Sequence, residues 1–330
     1  MANYKELEGF GVQTLATDPD NPGWVGSIFY NSTSGTFKTV KPGGVPVGTW
    51  ASGGNLNDAR SQIGGVGTQT AAICIGGNTP PETGNTETYD GSSWTEVNDL
   101  NTARRLVQGM GTVYTSAFAV GGYAPPGYQT IVESWNGTSW TETTDLNSAK
   151  GAGGQAGTST AGIVFSGVPG GPQVTNEEWN GSTWTEIADL NTGRRNAGSA
   201  GTVYTAAILF GGDETPPLTG KTEIWNGTSW TEVNDMNTAR EELAGAGTST
   251  LALGSGGAPH PKTNVEAWDG TSWTEVNDLA TARRELSSQA SNSQTSALVF
   301  GGSTAPGGPY IGATEEWTAP DVVINTLTTS

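Results

Sequence analysis

The sequence predicts an all-β protein assembled from repeats, and three observations lead to that expectation. One phrase is written five times almost verbatim, as YDGSSWTEVNDLNTAR, WNGTSWTETTDLNSAK, WNGSTWTEIADLNTGR, WNGTSWTEVNDMNTAR and WDGTSWTEVNDLATAR. Aligned on the second aromatic of the phrase, Trp50, Trp94, Trp140, Trp184, Trp230 and Trp273 follow at intervals of 44, 46, 44, 46 and 43 residues. A glycine-ended apolar run recurs in the same phase, as ICIGG, FAVGG, VFSG, ILFGG, LGSGG and LVFGG. A period in the forties is that of a blade of four short strands stacked around an axis. The expected fold is therefore a six-bladed β-propeller of four-stranded blades, preceded by a short N-terminal β-hairpin segment.

The elements follow in chain order. Residues 1–45 lie outside the repeat and are expected to form an attachment segment. Within it, NYKELEGF looks amphipathic but is too short to stand alone as a helix, and GSIFYNSTSGTFKTV reads as two strands around a turn. Residues 46–320 are expected to hold the propeller. In its second unit LVQGMGT, TSAFAVGG, QTIVESW and SWTETTDL read as strands one to four. Strands three and four are joined by Asn-Gly or Asp-Gly, at Asp90, Asn136, Asn180, Asn226 and Asp269, the dipeptide of a tight hairpin. This turn role also accounts for the glycosylation-like Asn-Gly-Ser/Thr triplets at Asn136, Asn180 and Asn226. Trp50 opens a fourth strand that lacks its own first three, so it is expected to complete the last blade beside Trp317. The terminal VVINTL, in the tail 321–330, is the competing closing strand.

Two charges recur with the period. A glutamate precedes each third-strand aromatic by two residues, at Glu87, Glu133, Glu177, Glu223, Glu266 and Glu315. A basic residue lies ten after each fourth-strand tryptophan, at Arg60, Arg104, Lys150, Arg194, Arg240 and Arg283. Repetition of both argues for structural pairing within or between blades; the functional alternative is a charged ring around the central channel.

Composition narrows the function classes. With 50 glycines and 17 prolines the chain is turn-rich, and 12 tryptophans supply apolar area to a modest 34% hydrophobic content. A net charge of −18 argues against nucleic acid and against simple attraction to anionic membranes. The single cysteine, Cys74, forms no internal disulfide and reads as a small buried hydrophobe. Its solitude and that of His260 leave no thiolate or histidine cluster for a metal. No cofactor is expected, and no catalytic residue is assigned. The start MANYKELEGF lacks a signal-peptide layout, and no apolar run is long enough for membrane insertion.

Function is sought where the repeats differ. The hairpins joining strands one and two, or three and four, barely vary. The loops joining strands two and three vary in length and content: NTPPETGNT, YAPPGYQT, VPGGPQVT, DETPPLTGKT, APHPKTN and STAPGGPYIGA. Loops on a rigid scaffold are where binding resides. Tyr123, Tyr128, His260, Lys262 and Tyr310 are the candidate contacts there.

The glycine doublet, the third-strand aromatic and the fourth-strand tryptophan resemble the Kelch repeat family, whose members form β-propellers. The Kelch-type copper oxidases require two histidines and a Cys–Tyr pair, so that activity is not implied. The stretch TDPDNPGWVGSIFYNSTSGTFK resembles a hairpin near the start of many bacteriophage tail-fibre and virion structural proteins. The repeat phrase and the ending TEEWTAPDVV resemble arrays encoded by phages of aquatic bacteria. These resemblances imply a non-enzymatic virion appendage protein, made in the host cytoplasm and released by lysis. It would dock to other virion proteins through residues 1–45, in multiple copies or as a homo-oligomer, and present its loop face to a host-surface glycan or protein. The alternative is a capsid decoration or collar protein that binds only virion subunits. A glycan-degrading enzyme is the third reading.

Overall fold

A computed structural model describes residues 12–42, 45–214, 217–288, 293–320 and 322–327. The segment NYKELEGF lies outside them. The chain divides into two compact units, Thr49–Thr318 and a smaller one of Met1–Gly48 with Ala319–Ser330.

In the larger unit the described residues form six four-stranded antiparallel sheets. Sheet one comprises Gly64–Thr68, Ala71–Asn78, Glu82–Tyr89 and Trp94–Val97, paired in that order. Sheet six takes three strands from the end of the unit, Ser287–Ser288, Ser296–Phe300 and Thr314–Thr318. Its fourth is Thr49–Ser52, from the beginning, with Trp50 opposite Trp317. The two indoles lie 5.3 Å apart, the geometry that Trp135–Trp140 and its equivalents repeat around the ring.

Apolar residues fill the spaces between successive sheets. Leu298 and Phe300 of sheet six cluster with Ala72, Cys74 and Trp94 of sheet one, so the last sheet packs on the first. Trp94 lies 4.9 Å from Phe300 and donates its indole N–H to Thr314 of sheet six. Trp140 and Trp273 make the same bond to Thr86 and Thr222 of the sheet before each. Burial of large aromatics is the main stabilising term here. Glycine is required where first strands meet near the axis: a Cβ on Gly109 would fall 2.8 Å from Gly65 N. Cys74 is fully buried beside Arg60, and burial pushes its thiol up to about 11.

The repeated phrase holds each connector to the sheet it enters. Arg60, Arg104, Arg194, Arg240 and Arg283 are buried and ion-paired with Glu87, Glu133, Glu223, Glu266 and Glu315. The same carboxylates accept from the connector: Glu133 receives the Asn101 backbone N–H at 2.8 Å and the Asn101 amide at 2.7 Å. That amide also donates to the Trp140 carbonyl. The sixth expected pair departs from the pattern. Lys150 gives its ammonium to the backbone and hydroxyl oxygens of Thr175, and Glu177 is held by Asn147 and Ser148. A single ammonium cannot span both sets of acceptors as a guanidinium fork does. The Asn-Gly and Asp-Gly turns are Asx turns: Asn136 Oδ1 accepts from the N–H groups of Thr138 and Ser139.

The smaller unit holds the expected hairpin and adds a strand on either side of it. Ile28–Asn31 and Thr36–Pro42 are its centre, flanked by Gln13–Leu15 in parallel and Val322–Thr326 in antiparallel pairing. An isolated two-stranded hairpin is marginal in water, and the added strands bury Phe29 and Val40 against Leu15, Trp24 and Ile324. The VVINTL strand therefore lies against Lys38–Pro42 and not beside Trp317, and the C-terminal residues belong with the N-terminal unit. Asn31 caps the turn through Thr33 and Ser34, while Asp18 bridges Asn31 and Lys38.

Candidate functional site

Two residues past each repeated basic residue, the chain turns from connector into first strand. Gln62, Leu106, Ala152, Asn196, Glu242 and Glu285 occupy this position, and all six have φ between 54° and 56°. Their backbones bond to one another in a closed cycle. Leu106 N–H donates to Gln62 at 2.7 Å, Ala152 to Leu106 at 3.2 Å, and Asn196 to Ala152 at 2.8 Å. Glu242 donates to Asn196 at 2.6 Å, Glu285 to Glu242 at 3.1 Å, and Gln62 to Glu285 at 3.0 Å. The left-handed conformation costs about 1–2 kcal/mol in a residue with a side chain, and glycine would avoid it. None of the six is glycine.

The cycle rims a cavity of about 130 Å³ on the axis. Deeper in, the walls carry Gly65, Gly109 and Gly245 with Gln155 and Ser199. The rim side chains form two arcs. Asn196, Glu242, Glu285 and Gln62 are polar and consecutive around the cycle; Leu106 and Ala152 close it with apolar groups. Glu242 and Glu285 are the charged residues of the lining. Glu285 accepts from neutral donors, Ser61 Oγ at 3.0 Å and Gln62 Nε2 at 2.9 Å. Glu242 is paired with Arg284 Nε at 2.5 Å. Burial nonetheless raises the Glu242 carboxyl above its ordinary range, with the Arg284 hydrogen bond opposing and the Glu285 charge adding.

The variable loops adjoin this rim. The residue before each rim residue bridges to the start of a loop joining strands two and three, as Ser61 does to Asn78 and Arg105 to Tyr123. Tyr123 and Tyr128 pair across a two-residue-wide ribbon with their rings 5.3 Å apart, edge to face. Arg105 lies over Tyr123 at 4.9 Å and donates to Gln62 Oε1. A Cβ on Gly151, next to Ala152, would touch the Tyr128 ring at 2.8 Å. Tyr310 accepts from Asn78 Nδ2 at 3.1 Å, across from sheet six to sheet one. The structure thus links Tyr123, Tyr128 and Tyr310 to the rim. His260 is exposed, and Lys262 bridges through its backbone to Arg283; neither is joined to the tyrosines by a hydrogen bond among the described residues. The repeated Arg–Glu pairs join connectors to third strands and are not in the lining of the axial cavity. Among the described residues no group of three or more His, Cys, Asp or Glu is placed to hold a metal ion.

Sequence reasoning passed over the six rim residues. The signal available was their constant offset from the repeated basic residue combined with five different residue types in six copies.

No protein-family model matches the sequence, and a comparison with curated proteins returned no match. Among solved structures, one titled "Structure of YjhT" superposes with a TM-score of 0.69 at 13% identity, covering 82% of this chain and 99% of that chain. The fold is a multi-bladed β-propeller. At that identity the likeness speaks for the fold alone. The sheets described above are its blades, and the axial cavity is the mouth of its central channel.

Proposed function

We propose that this chain is a non-enzymatic phage virion appendage protein, a tail or fibre component related to Kelch-type propellers. Its N-terminal region docks to the particle, and its variable loop face meets a host-surface glycan or protein. The observation that carries this reading is the division of labour between the propeller's two faces. The chain enters and leaves the propeller at Thr49 and Thr318, which pair with each other where other blades have their Asn-Gly or Asp-Gly hairpin. Repeat-to-repeat variation is concentrated at the opposite strand ends, in loops held by short backbone bridges. Non-enzymatic recognition fits the repeated glutamates, which are occupied in fastening connectors. Phage origin rests on the likeness of the hairpin and repeat phrases noted in the sequence. Weak single sites would gain from display in several copies.

The test is immunogold electron microscopy of purified particles with antibody against residues 46–330. Label at tail or fibre tips is expected. Label spread over the head would replace this reading with capsid decoration, and unlabelled particles would overturn the virion assignment itself.

A further inference from the structure

Among the described residues, the axial cavity is a more defined site than the outer loops. Its volume of about 130 Å³ is close to the ~150 Å³ of a protein cavity that accommodates benzene, so it holds the core of one six-membered ring, and the substituents of a larger one reach the open rim. Its rim is built from one backbone geometry repeated six times, closed on itself by hydrogen bonds and therefore rigid. Yet the side chains on that uniform backbone differ from blade to blade, in a chain that elsewhere writes the same phrase five times. The differences are ordered: acceptor-bearing Asn196, Glu242, Glu285 and Gln62 on one arc, Leu106 and Ala152 on the other. Tyr128 packs beside the apolar arc.

A ligand that fits must be a compact ring with hydrogen-bond donors on one edge and C–H surface on the other. A pyranose has that character. The sign of the lining decides among sugars. Both charged groups are carboxylates, and Glu285 is hydrogen-bonded by neutral partners, so an anionic sugar is repelled and an ammonium is favoured.

We propose that the axial cavity binds one non-acidic sugar residue, an amine-bearing one in preference, with its donors toward Glu242 and Glu285 and its apolar face toward Leu106 and Ala152. This narrows the recognition half of the reading above to one ligand class. Its test uses the purified full chain without particles, so failure here and failure of particle labelling are separate results.

The experiment is calorimetric titration with glucosamine, glucose and glucuronic acid. Glucosamine is expected to bind at about millimolar affinity, glucose at least about threefold more weakly, and glucuronic acid not measurably. Glu285→Gln retains an acceptor for Ser61 and Gln62, and its melting temperature is expected to match the parent. It should weaken glucosamine about tenfold and glucose less than about threefold, because only the ammonium senses the lost charge. Leu106→Ala, in the apolar arc of the lining, should weaken both alike. Binding of glucuronic acid as tight as that of glucosamine would overturn the proposal. So would failure of all three sugars to bind, or an equal loss of glucosamine and glucose in Glu285→Gln.

Discussion

Ala280 stands where five other connectors have asparagine, at Asn57, Asn101, Asn147, Asn191 and Asn237. In each of those the side-chain amide donates to the blade's buried glutamate, at 2.7 to 3.0 Å. It donates a second time to the carbonyl of the fourth-strand tryptophan, at 2.9 to 3.2 Å. At the sixth connector the backbone half of the arrangement survives, with Ala280 N–H donating to Glu315 at 2.7 Å. Ala280→Asn is therefore expected to supply both missing bonds, to Glu315 and to the Trp50 carbonyl. A hydrogen bond to a charged group contributes about 1.5–3 kcal/mol and one to a carbonyl about 0.5–1.5 kcal/mol. Position 280 is exposed, and ordering the side chain opposes the gain, so a net stabilisation of about 1–2 kcal/mol is expected. For a unit of this size that raises the melting temperature by roughly 2–4 °C. Denaturant unfolding gives the free energy and a thermal scan the temperature. Because the Trp50 strand reaches blade six from the far end of the sequence, the substitution also probes ring closure. An unchanged or lowered midpoint would mean that the amide does not form these two bonds.

Other perturbations have equally definite expectations. Arg104→Met leaves Glu133 buried without its cation and strips donors from the Gly121 and Ala119 carbonyls, so about 3–5 kcal/mol should be lost in denaturant titration. Adding Glu133→Gln should recover part of that loss, and a double variant no better than the single one would argue against the pairing. The Asp90 carboxyl is held down at about 2 by the Ser93 and Ser92 hydrogen bonds, compared with 3.8 ordinarily. Its contribution is complete above pH 3.8 and disappears as pH falls through about 2; Asp90→Asn, matching the Asn-Gly blades, should remove that acid dependence and with it the charge's contribution at pH 7. Burial lowers the Lys150 ammonium below 10.5. Between its folded value and 10.5 the unfolded chain binds more protons, so Lys150 makes stability rise with pH in that window, and Lys150→Arg should flatten the rise.

The fold was legible because its signals are local and repeated. Asn136-Gly137 announces its turn by composition, and the 44- to 46-residue intervals between tryptophans from Trp50 to Trp230 announce the blade. The Glu133–Arg104 pairing was legible through copy number, although the sequence does not reveal that Lys150 turns to Thr175. What escaped was non-local. The pairing of Lys38 with Thr326 joins residues nearly a chain length apart, and five residues of VVINTL carry no mark of their partner. The axial rim escaped for a different reason. Left-handed backbone is ordinarily read from glycine or asparagine, and here Leu106, Ala152, Gln62, Glu242 and Glu285 adopt it because the cycle of backbone hydrogen bonds imposes it. Tyr123 and Tyr128 were identifiable as loop aromatics; that Arg105 ties them to Gln62 on the axis was not.

The most direct test of recognition by the loop and axial face is competition for adsorption. Host cells are incubated with the purified chain before particles are added, and free particles are counted. The parent protein is expected to slow adsorption, while Tyr128→Ala and Glu285→Gln, folded to the same melting temperature, compete less well. Adsorption unaffected by the parent chain at saturating concentration, or slowed by both variants as much as by the parent, would contradict recognition by this face.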